Sequence, residues 1–273
     1  MHELPDIIGQ LSQLEELNLY NNSFKEFPPG VLRLKNLRVL SLNQNPLQCL
    51  PDGIAQLENL IHLHCNRTKA SVLPPGFFRL EKLEVVNMHS NGIRELSAKI
   101  SNLRQLEYLM LGNNCLTELP AEIGSLTKLK NLDLENNEIR ELPAKISNLR
   151  NLRSLSLLSN KIACLPNELA GLQNLQTLNV ENNRLNRLPD DIGELENLYV
   201  LRINGNNIKI LPKSIGKLKH LQELNLYQNQ LVQIPEEIGE LSNLKKINVM
   251  SNPLSRAERD KLRAMLPNTR IYD

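Results

Sequence analysis

Residues 129–151 read LKNLDLENNEIRELPAKISNLRN, and most of the chain is variation on this stretch. Within it, Leu132 and Leu134 alternate with Asn131, Asp133 and Glu135. That is the period of a strand with one buried face, the apolar pair inward and the polar residues outward. Asn137 follows where the chain must turn off the strand. A buried corner removes backbone groups from water, and a carboxamide supplies a donor and an acceptor together. Ile139 and Leu142 re-enter the core. Pro143 needs no amide partner and suits the first position of a short helical turn. Ile146 and Leu149 pack that turn back down.

Stepping by 23 from Leu14 meets leucine at every stop through Leu244, without an insertion or deletion. Eight residues beyond each lies Asn, from Asn22 to Asn252, with Thr68 the one departure. Fourteen beyond lies Pro, from Pro28 to Pro235, with Ser97 the one departure. Stacked at this interval, the asparagines can form a continuous hydrogen-bonded ladder. One repeat buries too little apolar surface to order itself, so neighbours must stack into one cooperative array.

The repeated pattern, LxxLxLxxNxLxxLPxxIxxLxx, resembles the leucine-rich-repeat family over about residues 4 to 254. The segment Leu119 to Leu126 resembles the plain 23-residue class, which includes intracellular Ras-pathway scaffolds and bacterial, spirochaete-type repeat proteins. The resemblance implies an α/β solenoid, a curved horseshoe. Its parallel β-sheet lines the concave face and short 3-10 turns line the convex face. It also implies a protein-interaction module rather than an enzyme.

The expected organisation is one domain over residues 1–273. Residues 1–13 supply the second half of a first repeat. Residues 14–254 form eleven repeats, the last incomplete, and residues 255–273 form a C-terminal cap. There Ser255-Arg256-Ala257-Glu258 reads as a capping box opening a helix to about Met265. Ala257, Leu262, Met265 and Leu266 would cover the last repeat's core, and Arg270-Ile271-Tyr272 could add an edge strand. The departures Cys65, Thr68, Ala70, Met88 and Ser97 concentrate in two adjacent repeats, where looser packing is expected.

Bulk properties narrow the function. Thirty-two basic residues against thirty acidic ones supply no concentrated basic face for nucleic acid. No apolar run is long enough to span a bilayer. No P-loop, nucleophile elbow or zinc-protease motif occurs, so neither catalysis nor a cofactor is expected. The N-terminal residues show no signal peptide. Cys49, Cys65, Cys115 and Cys164 have no CxxC spacing and read as free thiols in a reducing compartment. The default is therefore a cytoplasmic monomer with a protein partner. A secretion signal upstream would instead favour an extracellular or host-surface ligand receptor or adhesin.

Side chains two, four and six residues beyond each leading leucine should face outward on the sheet. Val39, His62, His64, Val85, His89, Tyr108 and Met110 fall together there. Exposed aromatic and apolar groups are usual interface anchors, and these seven are the first candidate contact patch. Asp133, Glu135 and Glu181 form a second, acidic one. The three histidines raise the question of a metal. The neighbouring positions in these rows carry no carboxylate or thiolate, and Cys65 points inward, so no metal is assigned.

Overall fold

The 23-residue period folds into one coil: a three-residue strand, a left-handed corner, a ladder position that is asparagine everywhere except Thr68, and a short 3-10 turn, which an α-helix replaces after the last strand of the series. The structure is a computed structural model describing residues 1–273. It divides into two units, Met1–Asn137 and Glu138–Asp273, and each unit is a repeat solenoid in its own right.

The first unit carries β1 (Glu16–Asn18), β2 (Val39–Ser41), β3 (His62–His64), β4 (Val85–Asn87), β5 (Tyr108–Met110) and β6 (Asn131–Asp133). They pair in parallel, each with the next and residue for residue at the 23-residue offset. The second unit carries β7 (Ser154–Ser156), β8 (Thr177–Asn179), β9 (Val200–Arg202), β10 (Glu223–Asn225), β11 (Lys246–Asn248) and β12 (Arg270–Tyr272), also parallel, at the 23-residue offset through β11 and at 24 from β11 to β12, where Lys246 faces Arg270. The middle residue of each strand from Leu40 to Ile247 is buried while its two neighbours face outward. The alternation read from residues 129–151 thus sets the faces of the sheet.

The asparagine ladder forms in both units. In the first, Asn114 Nδ2 donates to the carbonyls of Met88 (3.0 Å) and Leu111 (2.8 Å). Its Oδ1 accepts from the amides of Asn91 (3.1 Å) and Ile93 (3.0 Å). In the second, Asn206 donates to the carbonyls of Val180 (2.9 Å) and Ile203 (3.0 Å) and accepts from the amide of Leu185 (2.9 Å). One side chain therefore joins two consecutive coils. The residue before each ladder position, such as Asn113 (φ 55°) or Gly205 (φ 66°), turns the corner in the left-handed region. Thr68 keeps part of the ladder: its amide and its hydroxyl both donate to Asn91 Oδ1. Cys65, Ala70 and Met88 are fully buried, and the repeat containing Ala70 also buries Phe77 and Phe78 in edge-to-face contact at 5.1 Å. Large rings accompany the smaller groups within that repeat.

Two local expectations are corrected. The prolines of the 23-residue series do not occupy the first turn position; most are the residue before it. Pro143 has φ −67° and ψ 143°, an extended conformation. Its carbonyl accepts the first turn bond from Ile146, at 2.9 Å. At the C-terminus, helix α1 spans Arg256–Met265, and Ser255 Oγ accepts from the Glu258 amide at 3.2 Å. Glu258 does not complete a capping box. Its Oε2 accepts from the Ile234 amide at 2.9 Å and so fastens the helix to the repeat beneath. Leu262 and Leu266 cover that repeat's core, whereas Ala257 lies exposed.

Candidate functional site

The sheet face of the first unit assembles the candidate patch by register alone. Val39, His62, Val85 and Tyr108 are direct partners across β2, β3, β4 and β5, forming one straight row. His64 and Met110 lie in the next row, with Ser41 and Asn87 as their partners. Tyr108 is 40% exposed, and the others are half-buried between their neighbours. The rings of His62 and His64 stand edge to face, 6.2 Å apart. Burial lowers the His64 pKa, and the charge of His62 lowers it further.

His89 behaves differently, and the expectation that no carboxylate lies beside it is wrong. Its Nε2 stands 3.1 Å from Asp133 Oδ2. The hydrogen bond to Asp133 raises its pKa above the ordinary imidazole value, against the opposing effect of burial. The two residues lie two coils apart, a backbone separation of about 10 Å. Gly112 explains the reach. It occupies the outward position between His89 and Glu135, and a Cβ there would sit 2.5 Å from the His89 ring and 2.8 Å from Glu135 Cγ. With no side chain in between, the flanking residues fold over it. His89, Asp133 and Glu135 thereby bring one possible ligand atom each within 4.8 Å of one another.

The acidic candidates therefore part company. Asp133 and Glu135 join His89 in the first unit. Glu181 belongs to the second unit, where burial raises its pKa while Arg202 opposes the rise. That unit has its own charge cluster, which the sequence rows did not single out. Glu223 Oε1 is 3.0 Å from Arg202 Nε, and Glu223 Oε2 is 2.7 Å from Lys246 Nζ. Burial alone would raise the Glu223 carboxyl, yet these two cations hold it below the usual value. Three residues of one outward-facing zone, on β9, β10 and β11, make a cation–anion–cation bridge. Tyr227 and Met250 are exposed beyond it. The cysteines are unpaired: Cys65 is buried, with its thiol pushed up to about 11 by burial, and Cys49 and Cys164 are exposed. No helix is long and apolar enough to cross a membrane.

No curated protein matches the chain significantly. Among solved structures, a leucine-rich-repeat protein of Leptospira interrogans is 36% identical, with a TM-score of 0.96 over 100% of this chain and 70% of that one. The plant peptide hormone receptor RGFR1, in complex with RGF2, is 26% identical, with a TM-score of 0.81 over 100% of this chain and 49% of the receptor. An internalin of Listeria monocytogenes, at 20% identity and a TM-score of 0.77 over 97% of this chain and 84% of that one, shares the fold. The family model for the leucine-rich repeat region matches residues 2–98, 95–160 and 144–270. With that coverage and the repeats seen coil by coil, the chain belongs to the leucine-rich-repeat family, whose fold serves as a protein-interaction scaffold.

Proposed function

We propose that this chain is a non-catalytic binding module that recognises a protein partner through the outward sheet face of the first unit. The anchors are Tyr108 and Val85, with Val39, His62, His64 and Met110 around them. The row Val39–His62–Val85–Tyr108 carries the reading. Four side chains with apolar or aromatic area stand side by side on a sheet face otherwise made mostly of small polar and charged groups. Such groups lose water at little conformational cost on binding, because rings and β-branched chains have few rotors. Nearly balanced charge, 32 basic against 30 acidic residues, argues for a protein rather than a nucleic acid. The proposed unbound state is a monomer.

A second reading, a ligand receptor or adhesin, is favoured by the likeness to a plant peptide hormone receptor. Both readings use the same face. The test is affinity capture with the wild type, Tyr108→Ala and Val85→Asp, followed by identification of what is retained. Selective loss of one protein by both variants supports the patch. Retention of every partner by both variants refutes it. The chemical nature of a captured partner, intracellular protein or extracellular ligand, separates the two readings.

A further inference from the structure

We infer that His89, Asp133 and Glu135 form a binding site for a divalent transition-metal cation of the zinc class. Three observations converge on it. The donor set is one imidazole nitrogen and two carboxylates, which suits borderline cations rather than calcium or copper(I). The spacing is compatible. Two ligands of a tetrahedral zinc, at about 2.0–2.2 Å from the ion, stand about 3.4 Å apart. His89 Nε2 and Asp133 Oδ2 are 3.1 Å apart, and all three ligand atoms fall within 4.8 Å of one another.

The third observation is Gly112. Its φ is not in the left-handed region, so its backbone does not require glycine. What glycine provides is space, since a Cβ would collide with the His89 ring and with Glu135 Cγ. The gap is therefore what lets residues from separate coils converge on one point.

Asp133 is already oriented, because its Oδ1 accepts from the Glu135 amide at 3.0 Å and leaves Oδ2 toward His89. Asn113 Nδ2 lies 3.4 Å from Glu135 Oε1, a contact of the kind that steadies a ligand carboxylate. Side chains of His89 and Asp133 are 22% and 23% exposed, so an ion can enter from solvent. Three protein ligands leave one tetrahedral position for water or for a donor from a bound molecule. The inference does not rest on the binding patch and can be tested on the isolated protein.

The experiment is calorimetric titration of the full chain with Zn2+ near neutral pH, repeated with His89→Ala, Asp133→Asn, Gly112→Ala and a His62→Ala/His64→Ala double variant. One saturable site is expected. Loss of a ligand in His89→Ala or Asp133→Asn should weaken it by about a hundredfold or more. Gly112→Ala should weaken it by pushing the ligands apart, and the His62/His64 variant should bind as the wild type does. Unchanged circular dichroism verifies that each variant is folded. Co2+ spectra provide the second readout, since the exposed cysteines could bind metal. Visible ligand-field bands without a thiolate charge-transfer band agree with the assignment. The absence of saturable binding, binding untouched by His89→Ala, loss in the His62/His64 variant, or a thiolate band that accounts for the bound metal would each overturn it.

Discussion

Replacing Asn114 by Ala should be among the most damaging polar substitutions in the first unit. The side chain is only 7% exposed. Its Oδ1 takes two backbone amides, those of Asn91 and Ile93, and its Nδ2 feeds the carbonyls of Met88 and Leu111. In Asn114→Ala both amides lose this acceptor at a dry corner. A buried group left without its partner costs about 1–3 kcal/mol, so the two amides together cost about 2–6 kcal/mol. The carbonyls contribute less, because each oxygen has a second lone pair. We expect a loss of about 4 kcal/mol, large against the 5–15 kcal/mol typical of whole domains.

Urea denaturation followed by far-UV circular dichroism gives the number, with the m-value checking that the unfolded reference is unchanged. Hydrogen exchange gives the location, with protection lost first at the amides of Asn91 and Ile93. Asn114→Thr should fall between wild type and Ala, because a hydroxyl retains an acceptor, as Thr68 does in its own repeat. A cost below about 1 kcal/mol for Asn114→Ala, the ordinary net worth of one hydrogen bond, would show that water or backbone relaxation replaces the amide. The ladder would then not be what joins the coils.

The complementary change, Thr68→Asn, places a carboxamide at the one gap in the series and should stabilise the chain by about 1 kcal/mol, as restoring a repeat consensus commonly does. A rise in the thermal midpoint checks it, and a fall would mean that this repeat has repacked around threonine. Glu223→Gln should cost stability at neutral pH and nothing in acid. The folded carboxyl titrates below its ordinary value of 4.5 because of Lys246 and Arg202. Its contribution is therefore present above that value and disappears as the pH falls through the lower folded one. Paired urea titrations at neutral and acidic pH read the difference, and a gap between wild type and variant that persists or widens in acid would refute the assignment.

The fold is legible in the sequence because each position's task recurs in phase. Leu132 is inward for the same reason as Leu109, and Asn137 donates to Leu111 in the coil before it as Asn114 donates to Met88. Register follows from the constant 23-residue step, which puts Val39, His62, Val85 and Tyr108 in one row. What escaped the sequence are contacts that depend on how far a side chain extends. Glu258 carried a capping signature, yet its longer reach takes it to the Ile234 amide across the helix-to-repeat boundary. His89 had apolar and amide neighbours in the adjacent rows, and nothing in nearest-neighbour counting would pair it with Asp133.

Gly112 is the signal that was available. In a row of outward-facing positions, every residue with a side chain separates its two flanking residues. A glycine does not. Contacts across such a row then reach past the adjacent coil to the one beyond, and here they run from His89 over Gly112 to Glu135 and Asp133. An absent side chain thus changes which residues are neighbours. For a surface built from rows, the glycine positions have to be read before the charged ones can be paired.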